Sequence, residues 1–285
     1  MSIEQTLQFL EHFTLGEAHH FGSGKCCYSA IDKESGDKYV AKVKTIPARK
    51  ATTDALLLSG AFRDLDHLDA YFKDCARDLC RQAAILNALS HSDYFSHISV
   101  CQSVKRNDIG YDVWMLSPSR ITLSSLFEKQ TLPQEVALNL GIALCNGAMQ
   151  ARQMGFMHIS LKPNNIYLSP KGTFQIGDIG FTSLSTLQYA PIPSGCNTQY
   201  FPPECRDCYE KISPNADVYS IGATLYQAFH NGRMPDKLTD PPANANNRIS
   251  QIILTACSQM PEKRYQTPSD LLDAITDYKD SREKI

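Results

Sequence analysis

Residues 158–165 read His158-Ile-Ser-Leu-Lys-Pro-Asn-Asn165, and the reading of this string decides the fold. It brings a histidine, the Ser160 hydroxyl, the Lys162 amine and the Asn165 amide together, with no carboxylate among them. A serine is not a usable base at neutral pH without a base of its own. The string therefore carries no carboxylate to accept or orient the proton of a hydroxyl.

Bulk properties narrow what surrounds it. The 285 residues suffice for one large domain or two lobes with a substantial core. The chain is 42% hydrophobic and 20% charged with a net charge of −2, so no basic surplus points to nucleic acid or an anionic membrane. The longest apolar runs, such as Ala55–Leu58 and Ile252–Ala256, are too short to span a bilayer. Met1-Ser-Ile-Glu-Gln-Thr6 has no positive region leading into an apolar stretch, so no signal peptide is expected. The ten cysteines are scattered and read as free thiols of a reducing cytosol, which makes the expected location cytoplasmic. Cys205-x-x-Cys208 lacks a second such pair or a nearby histidine pair, so zinc is not expected. Cys26-Cys27, read as lying in a loop region, is a weaker metal signal still.

Outward from the central string, residues 3–13 carry apolar positions at helical spacing (Ile3, Leu7, Phe9, Leu10, Phe13) and read as a short amphipathic lead-in. Residues 26–31 and 38–44 read as strands joined by the turn-rich Asp32–Asp37. Residues 46–68 read as irregular to helical, and residues 69–89 as a helix. Ile98–Val104 and Tyr111–Leu116 read as strands. After Ser117-Pro-Ser119 the pattern turns helical, over 122–128, 133–155, 214–230 and 247–260, with Pro133 suited to a first turn. Strands first and helices after imply an α+β chain in two lobes, divided at about residues 117 and 118.

The order of motifs resembles the protein kinase family over about residues 14–275, in particular the eukaryotic-like Ser/Thr kinases of bacteria. Tyr39-Val-Ala-Lys-Val43 resembles the family's third strand with its lysine. Arg81–Leu86, followed by Leu89-Ser-His91, resembles the small-lobe helix and its exit. His158–Asn165 resembles the catalytic loop, Asp178-Ile-Gly180 the Asp-Phe-Gly motif, and Tyr200–Glu204 the Ala-Pro-Glu motif. Asp217–Gly222 resembles the start of the buried large-lobe helix, and Arg264 the arginine that pairs with the Ala-Pro-Glu glutamate. Any one of these strings is weak; seven in order are specific. The resemblance implies a bilobal α+β fold, a β-rich N-lobe and a helical C-lobe.

The resemblance also assigns the site, and the sequence departs from it selectively. Lys42 is implied to face the nucleotide phosphates. Gln82 stands where the family has the partner glutamate of that lysine, so the charge is absent; Asp78, one turn earlier, is the nearest acid. Asn165 and Asp178 resemble the Mg²⁺ ligands, as oxygen donors suited to a hard cation. Lys162 resembles the lysine that contacts the γ-phosphate. Ser160 stands where the catalytic aspartate belongs. Ile159 replaces the arginine that clamps a phosphorylated activation loop. Asn197 replaces the threonine that bonds the catalytic aspartate, with Thr198 the alternative. The glycine-rich loop is thin, with Gly22 and Gly24 retained and His20 and Lys25 in glycine places. Met115 is implied to be the pocket's gatekeeper. The hydroxyl-rich stretch from Thr182 to Thr198 is explained equally by a solvated loop.

His158, Glu204, Asp217 and Arg264, implied to hold the architecture, all remain. The leading expectation is thus a pseudokinase: a regulatory or scaffolding module for a protein partner (kinase, phosphatase or substrate), with 46–78 as a candidate partner surface or a neutral insertion. ATP and Mg²⁺ are the implied cofactors, held through Lys42, Asn165 and Asp178, with weakened or lost binding as the other outcome of the thin loop. The runner-up is an active ATP-dependent Ser/Thr kinase, or another ATP-using transferase, since positioning and electrostatics carry most phosphoryl transfer.

Overall fold

The computed structural model describes residues 8–21, 24–158, 161–178, 181–183, 199–205 and 212–283. The chain divides into two units. The first takes residues 1–88 and 97–119, the second residues 89–96 and 120–285. The division falls two residues beyond the sequence-based one, and the short segment 89–96 belongs with the second unit.

The first unit is built on a five-stranded sheet of β1 (Phe13–Phe21), β2 (Lys25–Asp32), β3 (Lys38–Ile46), β4 (Val100–Lys105) and β5 (Tyr111–Pro118), in the order β1-β2-β3-β5-β4. All neighbours are antiparallel. The β2–β3 connection is fixed by Asp32, whose carboxylate accepts from the backbone amides of Glu34 and Ser35 at 2.8 and 2.9 Å. Side chains alternate between faces. On one face Ala30, Ala41 and Leu116 form a buried cluster covered by Phe9, Phe13, Leu15 and Tyr39. The opposite face carries Lys42 and its cross-strand neighbour Met115.

Two helices complete this unit, α1 (Lys50–Leu58) and the longer α2 (Leu65–Leu89). The lead-in reads differently in the structure than in the sequence. Gln8–His12 is a 3-10 turn, and Phe13 already opens β1. Phe13 pairs with Asp32 and sets its ring edge-on to Tyr39 at 5.2 Å, so sheet pairing overrides the helical spacing. Cys26 and Cys27, read as loop residues, lie in β2.

The second unit is mainly helical: α3 (Leu123–Lys129), α4 (Gln134–Gln153), α5 (Ala216–Phe229), α6 (Asn247–Ala256) and α7 (Pro268–Glu283). Pro133 sits one residue before α4, in extended conformation. Nearly all of α5 is buried, and its Gly222 lies where a Cβ would meet Ala256 of α6 at 2.7 Å. Short strands carry the loop residues: β6 (Ile121–Thr122), β8 (Ile166–Leu168) and β9 (Phe174–Ile176) in one sheet, β7 (Phe156–His158) and β10 (Phe181–Ser183) in another. No helix among the described residues is long and apolar enough to cross a membrane.

Candidate active site

Four of the residues singled out in the sequence sit close along the backbone of the second unit. β7 ends at His158, which pairs with Phe181 of β10. Lys162 precedes the 3-10 turn Pro163–Asn165, and the Asn165 amide donates to the Lys162 carbonyl at 2.8 Å. β8 then pairs with β9, Ile166 opposite Ile176. The Gly177 amide donates to the Asn165 carbonyl at 2.8 Å, so the residue before Asp178 is tied to the end of the loop that began at His158.

Close packing holds this junction. Ile176 exchanges hydrogen bonds with the segment before the first unit's second stretch: its amide donates to Tyr94, and its carbonyl accepts from Ser96. A Cβ on Gly177 would lie 2.2 Å from the Tyr167 ring and 2.3 Å from Ser96 Oγ, so only glycine fits there. Asp178 follows with φ of +65°, a region that non-glycine residues seldom occupy. Such strain persists only where the surroundings impose it. Asn165 is buried at 6% exposure. Burial drives the His158 imidazole down to about 4 against the opposing pull of Asp178, so His158 is neutral at pH 7.

Beneath this loop lies a framework of buried polar contacts. Thr224 of α5, fully buried, donates its hydroxyl to the Leu161 carbonyl at 3.1 Å. Asp217 at the start of α5, also fully buried, accepts a two-pronged pair from Arg152 at the end of α4: Nη2–Oδ1 2.6 Å and Nε–Oδ2 2.8 Å. Burial pushes the Asp217 carboxyl up, while Arg152 and the Val218 amide pull it down. Glu204 and Arg264 form a second two-pronged pair with both contacts at 2.7 Å. Burial alone would raise Glu204, but Arg264 and Ser213 hold its carboxyl below the usual glutamate range. Arg264 also stacks on the Tyr219 ring at 4.9 Å.

The sequence anticipates the Glu204–Arg264 pair but misses Arg152. One signal was available: Arg152 is the single Asp, Glu, Lys or Arg between Glu135 and Lys162. A lone guanidinium at the end of a helix whose only other charge is Glu135, in its first turn, needs a partner, because burying it unpaired is costly.

The first unit holds Lys42, Gln82, Met115 and Gly24. Lys42 lies half-buried on β3, flanked by Cys27 of β2 and the buried Met115 of β5. Gln82, on α2, donates its side-chain amide to Asp78 Oδ2 at 2.9 Å. Arg81 reaches the other oxygen of the same carboxylate at 3.0 Å. Asp78 is thus engaged on its own helix. Gly24 has φ of +70°, and a Cβ there would lie 2.8 Å from both Ala48 and the Thr45 carbonyl. The turn's own packing requires this glycine. Ser160, Ile159, Gly22, Gly180, Asn197, Thr198 and Cys208 lie outside the described residues.

A sheet unit with a lysine on its middle strand, followed by a helical unit presenting an asparagine and an aspartate on joined turns, is a kinase-type architecture. Residues 15–282 match the protein kinase domain, and the chain belongs to that family. It is 24% identical over 220 residues to a probable serine/threonine-protein kinase of Clostridium perfringens, covering 70% of this chain and 31% of that protein. It is 33% identical over 113 residues to a Wee1-like protein kinase of Oryza sativa, covering 39% and 21%. With the serine/threonine-protein kinase PknB of Mycobacterium leprae it shares 26% over 162 residues, covering 49% and 26%. The chain thus spans about a third or less of the length of these relatives.

Protein kinases use ATP with Mg²⁺, and the residues present fit that pair in part. Asn165 and Asp178 offer oxygen donors on turns that a backbone hydrogen bond joins, which suits a hard cation. Lys42 offers a positive charge on a rigid strand. Gly24 fits less well, since its conformation is already accounted for.

Proposed function

We propose that this chain is a pseudokinase-type member of the protein kinase family: a regulatory or scaffolding module that binds ATP and Mg²⁺ and does not transfer phosphate efficiently. The observation that carries the reading is the selective pattern of loss. Ser160 and Gln82 replace the two family acids, whereas Lys42, Asn165 and Asp178 remain. Asn165 and Asp178 would hold the metal, Lys42 and Lys162 would meet phosphate oxygens, and Met115 would line the nucleotide pocket. The bound metal would screen phosphate charge. Ser160 would not take the place of the family's carboxylate as proton acceptor, because a serine hydroxyl is not a usable base at neutral pH without a base of its own. The partner in this reading is a protein, and the exposed Leu58, Leu65 and Tyr71 of the 46–78 region support it.

Thermal shift with ATP and Mg²⁺ tests the binding half. A rise that Asp178→Ala abolishes is expected; no shift at millimolar nucleotide removes nucleotide binding from the proposal. A radiolabelled phosphotransfer assay tests the other half. Wild-type transfer lost in Asp178→Ala would overturn the pseudokinase reading. Gain of transfer in Ser160→Asp would show that the remainder of the site is competent. Leu58→Asp with Leu65→Asp tests the partner surface: undiminished regulation of a partner by that variant removes this face from the reading.

The second reading, an active kinase, is favoured by one observation. The hydrogen bond from Gly177 to Asn165 sets Asn165 and Asp178 on joined turns that would suit a metal, and positioning with electrostatics supplies most of phosphoryl transfer. The same assay decides between the two.

A further inference from the structure

Helix α2 meets the β4 side of the sheet at three places. Near its start, Asp69 pairs with Lys105 and accepts from the Gly110 amide at 2.9 Å. Near its end, Asn87 makes two hydrogen bonds of 2.8 Å with the backbone of Ile98. Between them, the Cys101 thiol donates to the Cys80 sulfur at 3.6 Å. Helical rise puts Cys80 and Asn87 roughly 17 and 27 Å beyond Asp69. Strand rise puts Cys101 roughly 13 Å from Lys105, and Ile98 lies further on, two residues before β4 begins. The helix and strand run antiparallel in matched register, and the two sulfurs meet at the middle contact.

We propose that Cys80 and Cys101 are a redox-responsive thiol pair, oxidised by a hydroperoxide to a disulfide that clips α2 to β4. Both sulfurs are half-buried, within reach of a small oxidant. Their roles differ. The hydrogen bond from Cys101, with help from Ser103, brings the Cys80 thiol down to about 7, so Cys80 is substantially thiolate at neutral pH. The same contact and burial push the Cys101 thiol up, so it keeps its proton. The Cys80 thiolate attacks one peroxide oxygen; the S–O bond forms, the O–O bond breaks, and the leaving hydroxide takes a proton to become water. Cys80 is then a sulfenic acid. The Cys101 sulfur attacks it, the S–S bond forms, the S–O bond breaks, and the departing hydroxide takes the Cys101 proton. Two thiols and one hydrogen peroxide give one disulfide and two waters. A thiol reverses the step by exchange, as a reducing cytosol would.

The consequence lies in α2. Gln82 stands two residues past Cys80 on this helix. The disulfide would fix the part of the helix that carries Gln82, whichever way the nucleotide reading of the site is decided.

The test is a peptide map of the full-length protein after graded hydrogen peroxide, without reductant. A Cys80–Cys101 crosslink is expected first among the ten cysteines, with the loss of two hydrogens, reversal by dithiothreitol, and a melting temperature raised by roughly 5 °C or more. In Cys101→Ser, dimedone should trap a sulfenic acid on Cys80; in Cys80→Ser, labelling of Cys101 should fall at least tenfold. Oxidation of other cysteines before any Cys80–Cys101 crosslink forms would overturn the proposal. The wild-type map decides this alone if either serine variant folds poorly.

Discussion

The pairs beneath the second unit's His158–Asn165 loop and the pairs on helix α2 of the first unit hold their charges in opposite ways. In the second, Arg152–Asp217 and Arg264–Glu204 are two-pronged, and each has one partner entirely out of solvent. In the first, α2 carries Arg77–Asp74 and Arg81–Asp78 pairs that lie open to water. Buried pairs are costly to break from one side, and exposed pairs are nearly interchangeable. The framework beneath the His158–Asn165 loop is therefore rigid by construction. The two exposed pairs are internal to the helix that carries Gln82, and that helix is anchored through its buried Leu68, Phe72, Ala76, Ala83 and Leu86. Substitution at Gln82 falls beside the water-exposed charges of α2, while Glu204, Asp217 and Arg264 under the loop keep the family pattern.

The most severe break should come from Arg152→Ala. It leaves the Asp217 carboxylate buried without its cation and removes a donor to the Pro214 carbonyl. The expected loss is about 3–5 kcal/mol in chemical denaturation. A loss under about 1 kcal/mol would place this pair with the exposed ones and erase the contrast between the units.

Acid should produce the next effect. The Glu204 carboxyl is held below its ordinary value of 4.5 in the folded chain. As pH falls, the unfolded chain takes up this proton first. The contribution of the pair is thus fully present above about pH 4.5 and is lost as pH falls through the folded value. Hydrogen bonds to charged groups put it at roughly 1.5–3 kcal/mol. Glu204→Gln should flatten this acid limb in a pH series of denaturation midpoints; an unchanged limb would assign it to other carboxylates.

Gly177→Ala joins stability to the site. The added methyl has no room between Tyr167 and Ser96, so overpacking of about 1–3 kcal/mol is expected. The turn it displaces is the one that joins Asn165 to Asp178. The thermal shift with ATP and Mg²⁺ should shrink along with the melting temperature. A variant that melts lower yet retains the full nucleotide shift would separate the junction from the binding reading.

How much of this was readable beforehand depended on the range of the interactions. The strands around Lys42, the turn at Asp32 and helix α2 follow from local spacing. The Glu204–Arg264 pair was readable only through the family's motif order. The strands β7 to β10 have three residues each, too short for any period to show. Helix α7 was missed because its inward Leu271, Ile275 and Tyr278 are set among charged residues. Arg152 and Asp217 are 65 residues apart, and nothing local links them. Cys80 and Cys101 read as two scattered thiols until the register of α2 on β4 places them together. The candidate site residues come as a list from the family resemblance, whereas the tie from Asn165 to Gly177, next to Asp178, is a matter of backbone pairing and needs the fold.

The mildest change sharpens the comparison most. Asp78→Ala removes the Arg81 pair and the acceptor of the Gln82 amide together. Both Arg81 and Asp78 side chains are well exposed, at 65% and 46%, so the loss should be only about 0.3–0.5 kcal/mol. Gln82 is then free to turn on a helix whose other ties, at Asp69 and Asn87, remain intact. Denaturation should barely move, whereas hydrogen exchange should quicken in the middle of α2 and stay unchanged at its ends. A loss above 1 kcal/mol, or protection falling along the whole helix, would mean that the exposed charges hold α2 as firmly as buried ones hold the second unit. In that case the contrast between the exposed pairs of α2 and the buried pairs under the loop would fail. If the ends stay protected, the middle of α2 is the part free to respond, and it is there that Gln82 and Cys80 both lie.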